Sequence, residues 1–256
     1  MARRVRPVSH EDRLSLVEHL DELRTRLVVC AAAFGVALAL CFWQNHLLLE
    51  IASGPLPDDK QLITFGVTEP FTTTLTVAAY GAIALALPVV LYQLYAYVLP
   101  AFSATERRVV LPIVLLAPVL FLAGIAFSYF IVMPAAINFL LNFNDSEFNI
   151  QVRAREYYSF FSMTMIAGGL VFQLPLAILA VTRTGLVKVE QLSANRRYAY
   201  LAIAILAAAL PGVDPISMLI EMVPLLALYE LSILLARAFG RPKAAGGVGK
   251  PSTQER

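Results

Sequence analysis

Charge is scarce in this chain. Asp, Glu, Lys and Arg make up 15% of its 256 residues, whereas a soluble domain carries about a quarter. Hydrophobic residues make up 59%, and the mean hydropathy is +0.71. A soluble globular protein is excluded, and an integral membrane protein is predicted. Cysteine is nearly absent. Cys30 and Cys41 share the first apolar stretch, and the helix between them spans roughly 16 Å, too far for a disulfide. They are expected to be small packing residues that say nothing about redox compartment. Histidine is equally sparse: His10, His19 and His46 are scattered, and neither Cys-x-x-Cys nor His-Glu-x-x-His occurs. No metal site and no cofactor are predicted.

What is abundant is long apolar sequence. Six candidate spans run over about 27–43, 75–99, 109–132, 157–181, 198–210 and 216–236. The apolar stretch from Val109 to Phe143 exceeds the roughly 20 residues one span needs. Pro134 is expected to divide it, leaving 135–143 as a short helix along the interface. Leu47 to Phe71 reads as a mixed polar loop, and Thr182 to Arg197 as a basic one. The fifth run is shorter than a bilayer core. The turn Pro211-Gly212-Val213-Asp214-Pro215 makes it an antiparallel neighbour of the sixth. From Gly240 onward Gly, Pro, Lys and Ala dominate, and a disordered tail over 240–256 is predicted. Residues 1–239 form a single membrane domain in this reading.

Cationic residues set the orientation. Of 20 Lys and Arg, 17 fall before the first span, after the second, after the fourth and in the tail. Only Lys60, Arg153 and Arg155 fall on the other side. Both termini are therefore expected in the cytoplasm. Arg3-Arg4 resembles an export signal, but Glu11, Asp12, Glu18, Asp21 and Glu22 intervene before the apolar stretch and no small-residue cleavage site follows. The first segment reads as a retained span.

That orientation brings Glu22 and Glu106 to the same cytoplasmic surface, in segments otherwise dominated by Arg. A carboxylate matches the planar fork of a guanidinium, so the two acids suit a pair of arginines. Two plainer readings stand beside this one. Glu22 and Arg26 have the i, i+4 spacing of an ordinary helical ion pair, and Glu106 has Arg107, Arg108 and Arg24 as candidate partners. Within the spans, Gln173 lies inside the fourth, and Glu221 and Glu230 lie in the sixth. An ionisable group there is a functional hypothesis by default. Glu230, near the inner end, is expected to anchor to the interface or to Arg237. Glu221, roughly 8 Å below the outer surface, either snorkels outward or faces a wet cavity.

Four stretches in order carry a family resemblance: HLDELRTRL at 19–27, TEPF at Thr68 to Phe71, LYQLYAYVLPAFSATERR at Leu91 to Arg108, and PGVDPIS…VPLLALYELSI at Pro211 to Ile233. Together they resemble TatC, the multispanning core of the twin-arginine protein translocase, over about Leu14 to Ala236. The resemblance implies an all-α polytopic fold: six transmembrane helices in a cupped bundle, with short fifth and sixth helices. It also implies binding of Arg-Arg signal peptides of folded cargo at the cytoplasmic face, TatA- and TatB-type single-span partners, self-association, and drive by the proton-motive force. Its signal-recognition residues fall on Glu22, Glu106 and Arg24, its outer-loop aspartate on Asp214, and its partner surface on the fifth and sixth spans. Many members carry a glutamate where this chain has Gln173, and Glu221 replaces a position usually apolar. Hence the expectation that Glu221 supplies the intramembrane carboxylate that Gln173 lacks.

Two other classes were weighed. A proton-coupled solute transporter would use Glu221 and Gln173 as a relay, but it calls for charges on several spans and a repeat, and the halves match in neither span length nor proline position. An intramembrane enzyme would need paired His or Asp within the spans. No enzymatic activity and no nucleic-acid partner are expected.

Overall fold

A computed structural model describes residues 10–57, 60–98, 104–183, 187–210 and 215–239. For 10–18, 98, 104–115, 183, 238 and 239 only the backbone course is described. The predicted tail at 240–256 and the turn at 211–214 lie outside these residues. The chain is built of helices α1 (His10–Trp43), α2 (Asn45–Ser53), α3 (Glu69–Val98), α4 (Ala104–Phe127), α5 (Met133–Asn142), α6 (Ala154–Val171), α7 (Leu174–Arg183), α8 (Val189–Ala194), α9 (Arg196–Ala209) and α10 (Pro215–Phe239). Two short strands, β1 (Leu62–Ile63) and β2 (Val152–Arg153), pair in parallel, with Leu62 opposite Val152 and Ile63 opposite Arg153.

Five helical stretches are long and apolar enough to cross a membrane: His19–Trp43, Glu69–Tyr97, Leu116–Asn142, Ala154–Thr182 and Pro215–Arg237. The 14 residues of α9 rise about 21 Å, short of a hydrocarbon core of about 30 Å. The last helix is not short, however. With 25 residues, α10 reaches about 37 Å.

Prolines act differently from expectation. Pro134 does not divide the long apolar stretch. The chain passes from α4 into α5 through a π-helical turn, Ser128–Val132, in which the Met133 N–H donates to Ser128 O. Proline lacks an N–H and clashes with the carbonyl four residues back. The wider π turn just before it relieves that clash and keeps the backbone helical. Pro175 does the opposite. The fourth span breaks at Phe172–Gln173, where the Gln173 N–H donates to Leu170 O at 3.0 Å, and α7 begins at Leu174. The predicted loop at 47–71 also contains more structure than expected: α2 leaves the end of α1 at Gln44, and α3 has begun by Glu69.

Helices meet where side chains are small. α1 packs most extensively on α3, through Ala37, Cys41, Ala78, Ala82 and Ala86. Both cysteines are free, and buried Cys41 acts as one of these small residues. α4 crosses α6 more closely still. A Cβ on Gly124 would sit 2.5 Å from Gly168 O, and one on Gly169 would strike the Phe121 ring. In lipid, apolar side chains gain nothing by leaving solvent, so close backbone approach supplies the association. Gly124→Ala is therefore expected to lower the thermal midpoint of the purified protein, at a cost of about 1–3 kcal/mol for overpacking. An unchanged midpoint would show that the crossing tolerates separation. Gly35→Ala, where a Cβ meets nothing within 4 Å, is the matched control.

Candidate functional site

The charged turn of α1 touches α3 through Arg26 and His19. Arg26 Nε donates to Glu22 Oε1 at 3.0 Å and Nη2 to the same oxygen at 2.5 Å, while Nη1 donates to Gln93 Oε1 at 2.9 Å. The helical spacing of 22 and 26 makes the first contact, and the alanine seam between α1 and α3 brings Gln93 within reach for the second. Glu22 Oε2 has only His19 Nδ1 beside it among the described side chains, at 3.8 Å. His19 in turn stacks on Tyr97 of α3, with ring centroids 4.3 Å apart and planes 14° from parallel. The Glu22 side chain is 36% exposed. The plain ion pair is present, and among the described residues Glu22 Oε2 accepts no hydrogen bond.

Arg24 is exposed on the same turn. Glu106 is the third residue of α4, and its side chain lies outside the description. The backbone still bounds its place. Six peptide links join Val98, at the end of α3, to Ala104, at the start of α4, and they reach at most about 21 Å. Since Tyr97 stacks on His19, the start of α4 lies at the same end of the bundle as Glu22. Asp214 falls outside the described residues.

Inside the bundle, Gln173 is buried at the α6–α7 break. Its Nε2 donates to Ala117 O at 3.0 Å, and its Oε1 accepts nothing among the described residues. Glu221 is 8% exposed. It does not snorkel but lines a small internal cavity with Ser128 and Val132 of the π turn, Gly168, Phe172 and Pro224. Gln173 is not part of that lining, so the two polar groups do not share a cavity wall. Glu230 does not reach Arg237. It accepts from Arg196 Nη2 at 2.8 Å and Tyr200 Oη at 2.6 Å, clasping α9 to α10, while Arg237 donates to Ser193 Oγ at 2.8 Å.

One site escaped the sequence reading. At the other end of the bundle, Glu69 opens α3 with both oxygens occupied. Oε1 accepts from Arg153 Nε at 2.8 Å; Oε2 accepts from Arg153 Nη2 at 3.2 Å and from the Phe65 and Gly66 N–H groups at 3.0 and 3.3 Å. Arg153 also lies over the Phe65 ring, 5.4 Å from its centroid. The bonded Glu69 carboxylate raises the Arg153 pKa above its usual value. The sequence signals were the TEPF stretch that contains Glu69 and opposite charge at two helix starts, Glu69 and Arg153-Ala154. Nothing local says that a two-residue parallel strand pair joins them.

Long apolar helices, small-residue seams and charged clusters towards the ends of the helices define a multi-pass helical membrane protein. The family described as "Sec-independent protein translocase protein (TatC)" matches residues 18–224, and the chain belongs to the TatC family. It is 37% identical to the TatC protein of Desulforapulum autotrophicum over 237 residues, covering 91% of this chain and 88% of that one. It is 35% identical to TatCy of Bacillus subtilis, covering 89% and 90%, and 33% identical to the chloroplastic TATC of Arabidopsis thaliana, covering 89% and 68%. A crystal structure described as the twin arginine translocase receptor TatC superposes with a TM-score of 0.75 at 30% identity, covering 86% of this chain and 99% of that one.

The Glu69–Arg153 pair generates a test. Glu69→Ala and Arg153→Ala are each expected to lower the thermal midpoint, and the double variant to lose less than their sum, because both act through one pair. Strictly additive losses would mean that the pair itself contributes nothing.

Proposed function

We propose that this chain is the receptor subunit of a twin-arginine translocase. It binds Arg-Arg signal peptides of folded cargo at the cytoplasmic face, works with TatA- and TatB-type single-span subunits and with further copies of itself, and supports export driven by the proton-motive force. Both termini face the cytoplasm, as the 17-to-3 partition of Lys and Arg favours. α9 is then the fifth of six spans, short enough to require a locally thinned bilayer. Residues 1–239 make one membrane domain with the tail outside it.

The observation that carries the reading is the partly exposed Glu22 carboxylate, one helical turn from the His19 ring that stacks on Tyr97 near the end of α3, on a chain of this family. Among the described residues Arg26 alone donates to Glu22. Its pair with Arg26 is of a kind that contributes only a few tenths of a kcal/mol, and Arg26 keeps Gln93 as a second acceptor. An incoming guanidinium therefore competes for Glu22 at low cost. Glu106 is assigned the second arginine, Arg24 a place beside the two acids in signal-peptide binding, and Asp214 the outer loop. Each charge-assisted hydrogen bond contributes about 1.5–3 kcal/mol. An ammonium lacks the fork that makes two such bonds at once, so Lys-Lys peptides are disfavoured.

Glu22→Ala and Glu106→Ala are expected to reduce crosslinking to an Arg-Arg precursor at least tenfold while the protein still inserts into membranes. They should leave the already weak crosslinking of a Lys-Lys precursor unchanged. Undiminished Arg-Arg crosslinking in both variants would remove the assignment. Glu221 is assigned the intramembrane carboxylate, a role favoured by its burial beside the π turn. Glu221→Ala is expected to reduce export of a folded reporter while leaving precursor crosslinking intact; export at the original rate would end that role.

A further inference from the structure

A second polar site lies at the opposite end from Glu22. The Glu69 end of the bundle holds a cavity of about 540 Å³ lined by the first turns of α3 and α6, among them Thr68, Thr72, Thr73, Arg153, Arg155 and Ser159. Two of the three cations counted outside the cationic side of the sequence, Arg153 and Arg155, line it. Their situations differ. Arg153 is neutralised by Glu69 and faces Glu156 at 3.5 Å. Arg155 is exposed and has no carboxylate partner among the described residues. Hydroxyls divide in the same way. Thr72 and Thr76 donate to backbone carbonyls of their own helix, whereas Ser159 has no hydrogen bond among the described residues. Thr73 is 5% exposed, and its hydroxyl is sealed from the cavity with no partner among the described residues, so the accessible donors are Arg155 and Ser159. Both helices present their N-termini here, which adds favourable potential for an anion.

Helical spacing continues the site downward. Thr68, Thr72 and Thr76 form one i, i+4 stripe of α3, which runs on to Tyr80. Arg155, Ser159 and Met163 form another on α6, with Met163 half exposed. Each stripe is polar at the helix start and apolar about two turns deeper, and both helices are of membrane length. A free anion needs only the upper part; a phospholipid needs both.

We propose that this cavity binds the phosphate of an anionic phospholipid, with Arg155 and Ser159 as donors and the acyl chains along the α3–α6 stripes. The site is independent of signal-peptide binding, since it stands at the other end of the bundle. Purified full-length chain in detergent is titrated with dioctanoyl phosphatidylglycerol, dioctanoyl phosphatidylcholine or inorganic phosphate, and bound lipid is read by native mass spectrometry. The original chain is expected to bind phosphatidylglycerol in preference to phosphatidylcholine, with inorganic phosphate failing to displace it at equal concentration. Arg155→Gln should weaken that binding about tenfold, the size of one charge-assisted hydrogen bond. Ser159→Ala should weaken it as well, whereas Thr73→Val, which removes an unsatisfied hydroxyl sealed from the cavity, should raise the lipid-free thermal midpoint and leave binding unchanged. Lys188→Gln, on the far side of the bundle, should also leave binding unchanged. Equal retention of phosphatidylglycerol in Arg155→Gln and Ser159→Ala, no preference over phosphatidylcholine, or equal competition by inorganic phosphate would each overturn the proposal.

Discussion

Close backbone approach between helices, made possible by residues with almost no side chain, is the constraint on which the rest of this protein depends. Lipid tails solvate Leu and Val as well as a protein interior does, so the usual driving force for burial is weak here. What remains is dispersion between surfaces that fit, and dispersion falls away within an ångström of separation. The alanine and cysteine seam holds α1 on α3, and the glycine crossing holds α4 on α6. Large apolar side chains such as Val36, Leu122 and Val223 are left facing outward. In water that exposure would be a liability; in a bilayer it is the solvated state.

Once the seams are set, the polar chemistry is placed by them. Arg26 reaches Gln93 because α1 and α3 meet through alanines, and Arg153 reaches Glu69 because β1 and β2 align the starts of α3 and α6. The bundle thus carries one charged cluster at each end, built on the same long helices. The interior polar groups sit where the helical backbone is irregular. Gln173 occupies the break before α7, and Glu221 lines a cavity with the π turn of Ser128–Val132. Irregular backbone at membrane depth is tolerated where it is buried in protein, and these two sites meet that condition.

The legibility of each feature follows from its range. Ion pairs within one helix, such as Glu22 with Arg26, are fixed by a four-residue spacing and could be read directly. The Arg196–Glu230 clasp and the Glu69–Arg153 pair join residues 34 and 84 apart in sequence, and no periodicity announces them. The prolines show the limit most clearly. Pro134 and Pro175 look alike in the sequence, each near the middle of an apolar stretch. One is absorbed by a π turn and the other breaks its helix.

The sequence by itself determined that this chain crosses a membrane several times, where most of the long helices lie, and which end of the bundle carries the excess of Lys and Arg. Hydropathy and charge are sums over residues and need no partner. Only the tertiary structure decided that Glu22 stays partly exposed beside Arg26 while both Glu69 oxygens are engaged, that Glu221 is buried, and that Arg153 and Arg155 share a cavity yet differ in charge balance. Each of those depends on which neighbour stands within about 3 Å, the range over which a hydrogen bond forms, and that is set by packing alone.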